Sequence, residues 1–360
     1  MNHFSIHQEI SKAETLPAAF YRSDEVFNSF KEKVFAVTWH LVGNEKLFNL
    51  KTNLYPINFY PGFMDEPLLL TCDENDSVAA LSNVCTHRGN VLINSPAKKS
   101  KLICGYHGRK FALDGKFEFM PEFKEAENFP SNCDNLPKIP LAKWKQFFFL
   151  SLNPAYEFIK IEKILNERTG FLPVENFTFK PELSREYLVN SHWALYCDNY
   201  LEGFHIPFVH NDLNEAIDYG TYETKTFEYG NLQIGYAKGG TEKFDLPEGH
   251  IDYGKNVSAY YYWIFPNLML NFYPWGLSVN IVQPLTKDRC KVIFQIFMHD
   301  ESKMTNSAGA LLDKVEREDE FVVESVQKGV NSMLYKAGRF SPKREIGVHH
   351  FHLLLSKFLG

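Results

Sequence analysis

The spacing of apolar positions changes character along the chain. Phe27, Phe30 and Val34 recur at helical spacing, so residues 15–35 read as an extended lead and then a short amphipathic helix. From Trp39 the pattern shortens to β-rich pieces at 39–42, 68–71, 78–81, 102–104 and 111–113, separated by Gly, Pro, Asn and Asp. Asp114-Gly115 predicts a two-residue hairpin turn. The apolar run 147–152 predicts a buried strand, closed by Asn153-Pro154. The pattern therefore divides the chain into a lead segment 1–37 packing on the last domain, a small all-β domain 38–155, and a second domain 156–360. Within the second domain, 186–198 reads as strand and 221–300 as β-rich, including 260–265 and 268–282. Helices are expected over 308–337 and, after Ser341-Pro342, over 343–358. Strands followed by helices predict an α+β class with helices packed on an antiparallel sheet.

One helical stripe carries an acid. Val315, Asp319, Val322, Val326 and Val330 follow one another at steps of four, three, four and four. An unpaired carboxylate on an apolar face is costly and neutralises or finds a cation. From the stripe alone, a metal ion and a salt-bridge partner are equally open for Asp319. Glu316, Glu320 and Glu324 fall away from it, as on a solvated face, and Glu318 lies near its edge as an alternative ligand.

Composition narrows the classes. At 360 residues, 44% hydrophobic and 23% charged, the chain has room for two ordinary globular domains. A net charge of −6 gives no basic footprint for nucleic acid and no polybasic membrane patch. The N-terminus lacks a basic and apolar leader, and no apolar run approaches a membrane span. Cys72, Cys133, Cys197 and Cys290 show no framework spacing, so the expected setting is a reducing cytoplasm. The 32 Phe and 18 Tyr suit a deep core and an aromatic-lined pocket.

The candidate chemistry lies in two constellations. Cys85-Thr86-His87 and Cys104-Gly105-Tyr106-His107 place four soft or borderline ligands within 23 residues. Two cysteines are too few for a disulfide framework, and a Cys-x-His opening is unusual for structural zinc. Two thiolates and two imidazoles fit a Rieske [2Fe–2S] cluster better, each pair on its own iron. Gly89, Gly105 and Gly108 allow the backbone to turn tightly beside such a cluster. The second constellation is Glu202, His205 and His210. Glu202 and His205 share a helical face, whereas His205 and His210 are about 140° apart by the helical period. Pro207 breaks the helix between them and can bring both rings to one metal. Two His and one carboxylate on one face leave positions open for O2 and substrate, as in non-haem Fe(II) oxygenases.

Here the residues resemble a known family. Cys85-Thr86-His87-Arg88-Gly89 with Cys104-Gly105-Tyr106-His107-Gly108 is similar to the Rieske domain of ring-hydroxylating and related non-haem iron oxygenases. The stretch from Asp198 through Glu202 and His205 to His210 resembles their mononuclear iron motif, and that from Glu318-Asp319 to Gln327 their later segment. The resemblance runs from about Leu16 to the C-terminus. Three features depart from it: Gly105 and Arg109 stand where relatives commonly have Pro and Trp, and His192-Trp193-Ala194 where they have Asn-Trp-Lys. His192 is a candidate to support a ligand from behind.

The resemblance implies a Rieske domain joined to a helix-grip, START-like catalytic domain. It makes Cys85, His87, Cys104 and His107 the cluster ligands and His205, His210 and Asp319 the ligands of a mononuclear Fe(II). It implies a monooxygenase or dioxygenase that activates O2 to hydroxylate or N-dealkylate a small organic substrate. It further implies a head-to-tail homotrimer in which Glu202 joins His205 to His107 of the next subunit. The chain has no GxGxxG after a strand. Electrons are therefore expected from NAD(P)H through a separate reductase, directly or through a ferredoxin.

The segment Glu345 to His352, with Asp198 to Glu202, most resembles the branch of choline and carnitine oxygenases. Adjacent His349, His350 and His352 are expected to pack or hydrogen-bond. In 260–263 only Tyr260 with Tyr262, or Tyr261 with Trp263, can line one pocket, since alternate strand residues face opposite ways. Aromatic cages bind quaternary ammonium groups, so a quaternary ammonium or N-methyl compound is one substrate class and an aromatic ring compound the other. A Rieske electron carrier without oxygenase activity and a zinc-stabilised binding module are the remaining alternatives.

Overall fold

The computed structural model describes residues 4–210, 218, 220–305 and 312–360. The chain forms two compact units, Ala36–Tyr156 and, separately, Met1–Phe35 with Glu157–Gly360. Among the described residues, no helix is long and apolar enough to cross a membrane.

The unit Ala36–Tyr156 is built from three small antiparallel sheets. The one that matters for chemistry pairs Leu102–Ile103 with Lys110–Phe111 and then Phe117–Phe119. Its inward side chains Leu102 and Phe111 join Leu54, Leu69, Leu81 and Leu136 in a core that also buries Cys85 and Cys104. The turn after Phe111 differs from the two-residue hairpin expected. Gly115 N donates to Ala112 O at 3.0 Å and Ala112 N to Lys116 O at 2.8 Å, which leaves three residues in the loop. Gly115 takes φ +85°, and a Cβ there would lie 2.9 Å from Leu81 Cδ2, so the tight packing as well as the turn demands glycine.

The other unit carries an eight-stranded antiparallel sheet. Six strands follow one another as a meander with each paired to the next: Glu223–Phe227, Gly230–Tyr236, Val257–Ile264, Leu268–Tyr273, Gly276–Thr286 and Arg289–Met298. The apolar span 268–282 is thus two strands, divided at Pro274-Trp275. Every residue of Val257–Ile264 is buried, because both faces of the sheet are covered. Tyr260 and Tyr262 point one way, to Asp252 Oδ2 and Ile164 O; Tyr261 and Trp263 point the other.

Among the helices described in this unit, three bear on the site or on the sheet beside it. Trp193–Tyr200 packs against Gly276–Thr286 and against the helix Leu312–Val330, and Ile346–Leu359 packs against Glu223–Phe227. The expected strand 186–198 is a strand only over Arg185–Val189. Beyond it His192 takes an extended conformation and its Nδ1 accepts from Ala194 N at 3.1 Å, an N-cap that starts the helix. The late helix ends at Val330 rather than at 337, and its start before 312 lies outside the described residues.

That helix is also turned relative to the valine stripe. Val323, Gln327 and Val330 are buried and Glu316, Asp319 and Glu320 partly so, whereas Val326 is 43% exposed and Phe321 79%. Of the acids expected on a solvated face, Glu316 therefore turns inward to the cavity, while Glu324 stays at the surface. Tyr196 Oη donates to Glu316 Oε2 at 2.6 Å, and Asn190 N and Nδ2 both donate to Glu324 Oε1 at 2.9 Å.

Candidate metal centres

The two Cys–His loops are near copies of each other. Cys85 N donates to Asn90 O and Cys104 N to Arg109 O, both at 2.8 Å. Gly89 N returns to Cys85 O and Gly108 N to Cys104 O, both at 3.0 Å. Both returns close on a left-handed glycine, φ +71° at Gly89 and +72° at Gly108, where a side chain would be strained. The loops face one another, with the His87 and His107 rings 4.7 Å apart. Burial opposes a thiolate at Cys104, but the N–H groups of Tyr106 and His107 outweigh it and draw its pKa down, while Asn90 Nδ2 donates to Sγ at 3.6 Å. His87 Nδ1 is buried with no partner among the described residues. An unpartnered imidazole nitrogen beside two thiols is the donor set that a Rieske cluster takes.

Arg109, which stands where relatives commonly have tryptophan, closes the second of these loops. It is buried, donates from Nη2 to Asp134 Oδ1 at 2.6 Å and to Asp134 O at 3.2 Å, and its guanidinium carbon sits 4.8 Å from the centre of the Phe117 ring. It fills an aromatic slot as a flat cation paired to one acid.

In the larger unit, His205, His210 and Asp319 bring one donor atom each to within 4.8 Å of one another. His205 and His210 bracket the short helix Ile206–Val209, whose first turn contains Pro207. Each imidazole is held from behind by a glutamate. Glu202 Oε1 lies 2.7 Å from His205 Nδ1, and Glu318 Oε2 lies 2.8 Å from His210 Nδ1. Both Nε2 atoms then face Asp319 Oδ1, at 3.5 Å from His205 and 2.9 Å from His210. Burial disfavours a charged His210, but Asp319 and Glu318 outweigh it and raise its pKa. Asn199 Nδ2 also donates to Asp319 Oδ1, at 2.6 Å. Three donors converging on one point, with both rings oriented through their far nitrogens, fit a divalent metal of the two-His, one-carboxylate type.

Two expectations change here. Glu318 is not a spare ligand: it reaches the nitrogen of His210 that faces away from Asp319. His192 does not support a ligand; it is fully buried against Phe20, Tyr21, Phe27, Phe30 and Trp193, and burial lowers its pKa to about 3. The C-terminal histidines are satisfied separately. His349 reaches His7 O and His350 reaches Phe227 O, both at 2.8 Å, and His352 reaches Asp198 Oδ1 at 2.9 Å.

Beside the triad is a cavity lined by Tyr200, Tyr222, Tyr261, Tyr273, Gln233 and Glu316. Burial raises the pKa of Tyr200, Tyr222, Tyr261 and Tyr273, so they stay neutral phenols. Burial, followed by the charge of Asp319, raises that of Glu316. Of the ring pairs open from sequence, Tyr261 reaches the cavity, while Trp263 packs on Phe351 with ring centres 5.0 Å apart. Glu316 and Gln233 were missed as lining residues. Polar signals do not report which way a helix is rolled, and an amide on a fully buried strand leaves no alternation to read.

The catalytic-domain model of ring-hydroxylating alpha subunits matches residues 178–360, and the Rieske [2Fe-2S] domain model matches 47–130. The chain belongs to the Rieske oxygenases, as an alpha subunit. A Rieske oxygenase alpha subunit carries a [2Fe–2S] cluster and a mononuclear iron, and this one has a donor set for each. It is 30% identical to a chloroplastic choline monooxygenase of Arabidopsis thaliana, over 96% of this chain and 83% of that protein. It is 26% identical to the carnitine monooxygenase oxygenase subunit of Escherichia coli (strain K12), over 96% and 94%. The fold matches a solved quaternary ammonium Rieske monooxygenase with TM-score 0.78 at 21% identity, over 99% and 100% of the two chains. It also matches naphthalene 1,2-dioxygenase from Rhodococcus sp. with TM-score 0.73 at 16% identity, over 96% and 94%.

Proposed function

We propose that this oxygenase oxidises a small quaternary ammonium or N-methyl compound, by hydroxylation or N-dealkylation. Cys85, His87, Cys104 and His107 would hold the cluster, and His205, His210 and Asp319 the mononuclear iron. When bound, these groups supply electron relay and O2 activation respectively. The chain's own part is orientation: Glu202 and Glu318 fix the two imidazoles, Asn199 fixes Asp319, and the tyrosine rings line the cavity beside them. The observation that carries the reading is the convergence of both Nε2 atoms on Asp319 beside an aromatic, acidic cavity. The relatives named choline and carnitine monooxygenase favour the same substrate class.

The assembly proposed is a homotrimer in which Glu202 also reaches His107 of the partner subunit. Phe208, 78% exposed, and Phe204, 41% exposed, flank His205, and Tyr106, 55% exposed, lies against His107; such apolar surface suits burial between subunits. Electrons would come from NAD(P)H through a separate reductase, directly or through a ferredoxin. Six cysteines without a disulfide suit a cytoplasmic setting.

The test is O2 uptake and product analysis of the iron-loaded protein with a compatible reductase. The reading expects oxidised products from choline- or carnitine-type substrates. Turnover of aromatic hydrocarbons alone would overturn it.

A further inference from the structure

Arg109 joins the second Cys–His loop to the core. Its carbonyl accepts from Cys104 N, and its side chain, 2% exposed, lies among three aromatic rings. The guanidinium carbon is 5.6, 4.8 and 5.5 Å from the ring centres of Phe111, Phe117 and Phe129. Phe111 belongs to the same apolar core as Cys85 and Cys104, and Phe117 packs against it. The cation therefore shares the dry interior of the cysteine ligands, where a charge is weakly screened.

Its partner is placed differently. Asp134 ends the short helix Asn132–Asp134, beside the exposed Cys133, and its side chain is 18% exposed. Its Oδ1 accepts from Arg109 Nη2, while Oδ2 accepts from Ser131 N and Oγ at 2.7 and 3.0 Å. Arg109 Nε, by contrast, is buried with no partner among the described residues. The pair thus has a dry cationic end and a partly solvated anionic end, so the two charges do not cancel in the interior. The same residue also ties the loops together. Asp134 O accepts from Arg109 Nη2 at 3.2 Å and from Thr86 Oγ1, between Cys85 and His87, at 2.8 Å. The field of Arg109 reaches that first loop: after burial and His107, it is the next cause holding the His87 pKa down.

Resting on the cluster assignment above, we infer that Arg109 sets the reduction potential of the [2Fe–2S] centre held by Cys85, His87, Cys104 and His107, its cation favouring the reduced form. Reduction makes the centre more negative by one unit, and a fixed, poorly screened guanidinium stabilises that change. Arg109 touches no reacting atom; it is a positioning residue that acts through the surroundings of the ligands.

The test is potentiometric titration of the reconstituted full-length protein with dithionite, followed by the visible absorbance of the cluster. Arg109→Gln removes the charge and keeps an N–H for Asp134. It should lower the reduced-to-oxidised ratio at a fixed potential about tenfold, a downward shift of ~59 mV in the midpoint. Arg109→Lys keeps the charge and should stay within about threefold of the parent. Asp134→Asn breaks the same ion pair from its other side and should move the midpoint up. A role confined to folding would move Arg109→Gln and Asp134→Asn in the same direction, or neither. An Arg109→Gln ratio within about twofold of the parent's overturns the inference. So does an Asp134→Asn midpoint at or below the parent's, and this variant decides the sign by itself where Arg109→Gln holds no cluster. A parent that assembles no sulfide-bearing cluster brings down the assignment beneath; a parent with a Rieske signal and unmoved midpoints in the variants brings down this inference alone.

Discussion

Replacing His192 by asparagine should make the catalytic unit less sensitive to acid, and the structure gives the size of the effect. Nδ1 of His192 accepts from Ala194 N, so the proton sits on Nε2, which is buried and has no partner among the described residues. The ring is closed in by Phe20, Tyr21, Phe27, Phe30 and Trp193; Asp288 pulls the other way, but burial prevails and the pKa falls from 6.5 to about 3. The unfolded chain takes up a proton below about pH 6.5. The folded chain does not do so until near pH 3. For a base held neutral, the stability is whole above the unfolded pKa and falls as pH drops toward the folded one. Each pH unit inside that window removes ~1.4 kcal/mol, so ~2 kcal/mol is lost by pH 5. Asparagine keeps an oxygen to cap the helix and has nothing to titrate. Urea unfolding at pH 7 and pH 5 should therefore show the stability difference between His192→Asn and the parent moving by ~2 kcal/mol in favour of the variant. A difference that stays constant within about 0.5 kcal/mol across that range would refute the reasoning.

Other perturbations follow from the same geometry. Glu202→Gln should retain both metal centres and a reducible cluster while product per reduced cluster falls about 10- to 100-fold, read by single-turnover quench; undiminished yield would rule out the bridge. Asp319→Asn should lose most of the mononuclear iron but keep the cluster colour, whereas Glu318→Gln should weaken iron affinity about 10- to 100-fold, both measured by metal analysis after dialysis against a chelator. Arg109→Leu leaves Asp134 unpaired beside a buried slot and should cost the Ala36–Tyr156 unit about 3 kcal/mol in urea unfolding, a loss that a surface pair would not produce.

The features legible in sequence were those with a local cause. Glycines at 89 and 108 advertise the two turns that present the cysteines and histidines, and Pro207 advertises the break that lets His205 and His210 face one point. The mixed helix-and-sheet class followed from strand runs preceding helical ones. What stayed hidden depended on neighbours far away in sequence. The roll of Leu312–Val330 is set by its packing on Trp193–Tyr200, and that contact half-buries Glu316 while leaving Phe321 exposed, against the order of their polarities. The residues after Val189 have β-propensity enough for a strand, but the cap at His192 and the aromatic box around it turn them into a helix. Asp114-Gly115 marked the hairpin, but the loop length was decided by Gly115 packing on Leu81 and Leu136. Gln233 gave no signal, because an amide on a strand buried on both faces is recognisable only once its partners are known.

The claim on which the rest depends is that one chain carries two different iron centres. Iron and acid-labile sulfide determination on the anaerobically reconstituted protein, with electron paramagnetic resonance of the dithionite-reduced sample, measures it directly. The account expects about three irons and about two sulfides per chain, a Rieske-type signal, and loss of about one iron in His210→Ala with the signal unchanged. A sample holding zinc and no sulfide, or a cluster with no iron sensitive to His210, would contradict it.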